Sequence, residues 1–173
     1  MTATWHQRLL TDGFGRIAAT LPGIVDGLSV DDLLWQPYDR ANSIAWTLWH
    51  IARMEDAQIA PLAGTDEVWT SDGWVERFDL PYERAAMGYG QSTEEVAAFR
   101  LEDPTLLTGY YQAVHEATTK LVDGLSEDDL GRIVDEHWNP PVSGAVRLVS
   151  IVDDAAQHIG QAAYVKGLLK LRP

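Results

Sequence analysis

Cysteine is absent from this chain of 173 residues, which excludes a disulfide framework, a thiolate ligand for zinc and a protein thiol nucleophile. Any sulfur chemistry must therefore use an external thiol. Basic residues are scarce: 13 Lys and Arg stand against 26 Asp and Glu, for a formal charge of -13. That field repels a phosphate backbone and no local basic patch offsets it, so a nucleic-acid partner is not expected. No apolar run of 18 residues is present, and the start, MTATWHQRLLTDG, lacks the basic head and apolar stretch of a secretion signal. A cytoplasmic protein that does not enter the membrane is the expectation. The β-branched alternation of strands is also missing. What the chain does have is apolar mass, with 46% hydrophobic and 23% charged residues, enough for one domain over residues 1–173 to bury a core.

Apolar residues recur at threes and fours over four long segments, which predicts an all-α fold. The first helix covers about residues 3 to 24, with Leu10, Ile17, Leu21 and Ile24 on one face. The second runs from about 43 to 62, with Asn42 as N-cap and Pro61 and Gly64 at its exit. The third follows Asp103 and Pro104 and carries Leu107, Tyr110, Val114, Ala117 and Leu121 down to Gly124. The fourth runs from near Gly144 to about Leu169. Between the second and third lies a stretch of about 40 residues with Trp69, Trp74, Phe78 and Gly88-Tyr89-Gly90. One short helix is expected there after Ser92, where Ser92 and Glu95 form a capping box. An ordered excursion of this kind often covers a site.

Residues 26–33 read DGLSVDDL and residues 123–130 read DGLSEDDL, each between two long helices. The chain thus reads as two helical hairpins of similar design, although Gly at a helix end and Ser-x-x-Asp at a helix start also arise independently. Related by a twofold, the hairpins give an up-down-down-up four-helix bundle, with the 64–103 stretch as the crossover between helices two and three.

The fourth helix holds Asp154 and His158 one turn apart, roughly 40° around the axis. They share an arc with the core residues Ile151, Ala162, Val165 and Leu169. On the second helix His50 shares its arc with Trp46, Met54 and Ala57. His50 lies roughly 12 Å into its helix and the Asp154/His158 pair roughly 14 to 20 Å into a longer one, so the three can lie level. Each alone fits an ordinary hydrogen-bonded core residue or an intrahelical pair. Three inward polar groups in an apolar core, however, all need partners, and a metal ion satisfies them together. Two imidazoles and a carboxylate leave open positions, the pattern of catalytic metal sites.

Nearby residues supply a candidate substrate-binding set of Arg53, Gln161 and Trp46. Arg53, about 60° from His50, can hold an acidic substrate or form a surface ion pair. Gln161, one turn beyond His158, can contact substrate or orient a ligand. Trp46 is core mass or a pocket wall. Glu55 and Asp56 face away from His50 and read as solvated, while His6, His115 and His137 read as an end, a boundary and a loop residue.

With NSIAWTLWHIARMEDAQI in the second helix and VDDAAQHIGQAAYVKGLL in the fourth, the chain resembles the DinB-like family of metal-dependent four-helix bundles, in the branch related to mycothiol-dependent S-transferases. Helix order and spacing match over nearly the whole chain. In that family a His on the second helix and an H-x-x-x-H pair on the fourth bind a divalent metal. The resemblance implies His50 and His158 as ligands and places Asp154 at the first His of the pair, a departure that keeps the ligand count and hardens the site. Zinc is the expected divalent ion, with nickel, iron and manganese open. The resemblance further implies a homodimer and transfer of a low-molecular-weight thiol to or from small molecules. The expectation is therefore a metal-dependent thiol S-transferase that joins a mycothiol-like cosubstrate to a small electrophile. The alternatives are a metal-dependent hydrolase and a non-catalytic small-molecule-binding protein of a stress response.

Overall fold

Serine and threonine side chains set most helix starts in the computed structural model, which describes residues 3–172. Helix α1 (Trp5–Val25) is capped by Thr4 and α2 (Val30–Leu34) by Ser29. Helix α3 (Ile44–Ala63) starts on Ser43, whose hydroxyl accepts from the Trp46 amide. The cap is thus one residue later than the expected Asn42. Gly64, with φ of +68°, closes α3 in the left-handed conformation that costs a glycine least.

The crossover holds α4 (Val68–Ser71), α5 (Trp74–Phe78) and α6 (Thr93–Ala97), two more short helices than the sequence indicates. Only α6 has the predicted capping box, Ser92 with Glu95. Neither α4 nor α5 has a side-chain cap, so nothing local announces them. Then come α7 (Thr105–Gly124), α8 (Glu127–Gly131) and α9 (Gly144–Leu168), which ends in a 3-10 turn at Leu169–Leu171. Two strands, β1 (Ile133–Asp135) and β2 (Val142–Ser143), pair antiparallel before α9. This ribbon stands where a plain loop was expected.

The four long helices α1, α3, α7 and α9 form the bundle. Polar contacts fix their directions. Gln7 of α1 donates to Asp123 near the end of α7, so these two are antiparallel. Lys166 of α9 donates to Gly23 and Asp26 at the end of α1, so α1 and α9 are parallel. Arg53 and Glu55 of α3 meet Tyr110 and Thr118 in matching order along α7, so this pair is parallel too. The order is up-down-down-up, as expected. Each long helix packs against two others, in the ring α1, α7, α3, α9. The two members of each expected hairpin, α1 with α3 and α7 with α9, therefore lie across the diagonal and do not pack as hairpins, which corrects that detail. Parallel neighbours need a long connection, and the crossover provides it.

The core has two parts. Phe14, Ile59, Val122, Leu125, Leu148 and Ile151 fill one end. The larger part, around Trp49, Trp69, Phe78, Phe99 and Tyr110, lies where the crossover folds onto α3. Residues 44–53 of α3 are consequently enclosed by α7, α9 and the crossover, whereas Pro61 and Ala63 at its end are exposed. Its buried residues include Arg53, Glu55 and Asp56.

Candidate metal centre

His50 comes from α3 and Asp154 and His158 come from α9, helices packed directly against each other. One donor atom from each of the three lies within 4.8 Å of the others. His158 Nε2 is 3.6 Å from Asp154 Oδ1, and the two imidazole rings stand 4.8 Å apart at 89°. Burial is graded: His50 is 5% exposed, whereas the Asp154 side chain is 36% exposed.

Both imidazoles have one nitrogen engaged away from the cluster. His50 Nδ1 donates to the carbonyl of Met87, and His158 Nδ1 donates to Gln161 Oε1 at 2.9 Å. Each ring therefore keeps its Nε2 lone pair for a ligand. Burial holds His50 below the usual imidazole range; the Met87 bond opposes this, nearby His158 adds to it and Asp154 opposes it. The neutral form favoured by burial is the one that coordinates.

The donor set fits a divalent ion. Two imidazole nitrogens and one carboxylate oxygen match the three-ligand catalytic pattern with an open position. The donor atoms spread over as much as 4.8 Å, about 1.5 Å wider than donors on one tetrahedral zinc ion, and Asp154 is the most exposed of the three. His50, Asp154 and His158 thus form a group able to hold a metal ion. None of His6, His115 or His137 joins it: His6 contacts Thr4 and Leu125, His115 stacks on Tyr111, and His137 bonds Asp135.

The crossover makes the roof. Trp46 is buried, stacks on His50 with ring centres 4.8 Å apart at 14°, and donates its indole N–H to Gln91 at 2.8 Å. Gly88, with φ of +91°, passes so close that a Cβ would fall 2.5 Å from His50 Nδ1 and 2.9 Å from Trp46. The Met87 carbonyl reaches His50 only because residue 88 lacks a side chain. Gly88-Tyr89-Gly90 was visible in the sequence as part of a cover, but the His50 contact was not.

Three expectations are corrected. Arg53 is fully buried and does not serve as an exposed anion clamp. Its Nε donates to Ala86, Nη1 donates to Tyr110 and lies 3.5 Å from Asp56, and Nη2 is 2.9 Å from Glu67 but off the hydrogen-bond direction. Glu55 and Asp56 are fully buried as well, because α7 covers the first and the crossover the second on a face that a free helix would give to water. Asp56 caps α4 from a distance, accepting from the Val68 and Trp69 amides at 2.9 and 2.8 Å and from Tyr110. Glu55 accepts from Thr118 at 2.6 Å and Tyr111 at 3.1 Å, and burial pushes its carboxyl up to about 7. Gln161 orients His158, one of the two roles expected of it.

Comparison with known proteins adds a lineage. A protein described as a conserved protein of locus from Enterococcus faecalis has a crystal structure that superposes with a TM-score of 0.90 at 31% identity, covering 96% of this chain and 98% of that one. Curated proteins gave no significant match. A family model described as Mycothiol-S-transferase matches residues 9–170, a span that includes all three candidate ligands. The chain belongs to the mycothiol-S-transferase family.

Proposed function

We propose that this protein is a metal-dependent S-transferase that joins a low-molecular-weight thiol, mycothiol or a close analogue, to a small electrophile. The observation that carries the reading is the convergence of His50, Asp154 and His158, with both imidazoles oriented by second partners, in a chain without cysteine. Family membership supports the transferase class.

When bound, a divalent ion, with zinc the one proposed, would supply the Lewis acidity that favours the thiolate form of a thiol near neutral pH. The chain's own residues do the rest. His50, Asp154 and His158 hold the ion, while Met87 and Gln161 keep the two imidazoles in the coordinating tautomer. Trp46 and the 86–91 segment exclude water from the His50 side. In the addition to an activated double bond, the sulfur forms the new S–C bond and the adduct takes up a proton, so no oxidant or leaving group is required.

The test is conjugation by zinc-loaded protein with mycothiol and a panel of electrophiles. Rates well above the protein-free reaction are expected, abolished by chelation. His50→Ala, Asp154→Ala and His158→Ala should each lower zinc affinity at least tenfold, measured by competition with a chromophoric chelator. Equal zinc content in all four proteins would remove the site, and turnover without thiol would replace transfer by hydrolysis.

A further inference from the structure

A cavity of about 370 Å³ lies between the start of α3, the end of α9 and the 37–42 segment. Its wall includes Thr47, one turn before His50, and Gln161, the acceptor of the His158 N–H. None of His50, Asp154 and His158 lines it, so it approaches the candidate ligands only through these two neighbours.

Its chemistry differs from that of the surrounding surface. No carboxylate lines it, although acids outnumber bases two to one in the chain. Two other hollows, one at the far end of α3 and one in the crossover, carry Asp66 and Glu67 and Glu83 and Glu95 respectively, while one beside Arg132 is also free of acids. Here the polar groups include donors: the Arg40 guanidinium, the Asn42 and Gln161 amides, and the Tyr38 and Tyr164 hydroxyls. Gln161 has its carbonyl committed to His158, which leaves the NH2 for another partner.

Arg40 is the decisive member. Arg40, like Arg8, Arg77 and Arg100, has no carboxylate within ion-pair distance among the described residues, whereas Arg84 and Arg132, which line other hollows, are both paired. An unpaired guanidinium at a cavity without acids is available to an anionic ligand, and its planar fork matches a carboxylate. Two exposed tyrosine rings and Leu168 offer apolar surface for the body of such a ligand.

We propose that this cavity binds the carboxylate of a small, largely apolar organic acid through Arg40 and Asn42, and that the electrophile conjugated by this protein is such an acid. The second half rests on the transferase reading above; the first does not. The acid's carboxylate anchors at Arg40 and its reactive carbon lies on the Gln161 side, toward His158.

The binding test uses zinc-loaded protein titrated with phenylacetate and with phenylacetamide, followed by NMR. The acid should bind about tenfold more tightly than its neutral isostere, the advantage of a charge-assisted pair. Arg40→Gln should erase the preference, Arg40→Lys should keep part of it, and Arg84→Gln, remote from the cavity, should keep it all. Equal binding of acid and amide overturns the assignment. So does a preference that survives Arg40→Gln, which would place the carboxylate on the metal. A second measurement compares conjugation of a carboxylate-bearing maleimide with that of its carboxamide. Arg40→Gln should raise KM about tenfold for the acid alone, with kcat unchanged. If conjugation is absent while the Arg40-dependent preference stands, the transferase reading falls and the cavity assignment holds. If conjugation requires metal and thiol but shows no preference for the acid, the transferase reading holds and the assignment of the electrophile to this cavity falls.

Discussion

Glu55 shows what a single buried carboxylate does to pH dependence. It accepts from two hydroxyls but faces no cation of its own, and burial raises its carboxyl to about 7 from an ordinary value of 4.5. The folded state therefore binds this proton more tightly than the unfolded chain does. Stability from this group is fully present below pH 4.5 and is lost as pH rises through 7, by about 3 kcal/mol in total. His50 and His115, both lowered chiefly by burial, act in the opposite sense and lose stability as pH falls through the ordinary imidazole range. Comparison with Glu55→Gln isolates the carboxylate. Urea denaturation of both proteins from pH 5 to 8 should show the variant gaining steadily on the parent as pH rises. A constant difference between the two would mean that Glu55 stays in one protonation state throughout.

At the scale of elements, the crossover positions the site as much as the bundle does. Along α3, Trp46, His50 and Arg53 bond in turn to Gln91, Met87 and Ala86, so one helix face holds the returning segment at three points. Gly88 and Gly90 separate backbone freedom from close approach. Both have positive φ, 91° and 73°, but a Cβ at Gly88 meets His50 and Trp46 whereas one at Gly90 meets open space. Gly90→Ala should cost about 1 kcal/mol and leave zinc affinity unchanged. Gly88→Ala should cost more and weaken zinc binding at least tenfold, because the Met87 carbonyl can no longer orient His50. Chelator competition and urea denaturation of both variants decide this, and equal zinc affinity would show that the crossover contact is only structural. The sequence echo also has a structural counterpart. Ser29 with Asp32 and Ser126 with Asp129 make the same three hydrogen bonds, at 3.1, 2.6 and 3.2 Å in both places. The glycines differ, since Gly27 has φ of +75° while Gly124 is still helical, so the likeness lies in the caps more than in the turns.

Over the whole molecule the net charge of -13 sets the response to salt. Ion pairs such as Arg16–Asp12 and Arg84–Glu76 are exposed and contribute little, so screening them costs little. Self-repulsion among the excess acids is spread over the surface and is relieved as the Debye length shortens. Raising sodium chloride from 20 mM to 500 mM should lift the thermal midpoint by about 2–4 °C, the shift expected for roughly 1 kcal/mol at this size. A falling midpoint in scanning calorimetry would mean that attractive pairs dominate. No described helix is long and apolar enough to cross a membrane, in keeping with the absence of a long apolar run.

The sequence by itself determined the four long helices, the bundle class and the three converging groups. Helical period, Ser and Thr caps and inward polar residues are local signals that survive without neighbours. Tertiary structure alone decided what surrounds α3. The crossover turned a face carrying Arg53 and Asp56 from surface into interior while α7 closed over Glu55, made Arg53 a structural tie, and brought Met87 and Gly88 against His50. Those contacts span about 30 residues or more, and no periodic pattern encodes a partner at that distance. The diagonal placement of α1 against α3 and of α7 against α9 and the acid-free cavity at Arg40 are likewise products of packing, since both depend on which elements meet and not on the order in which they are written.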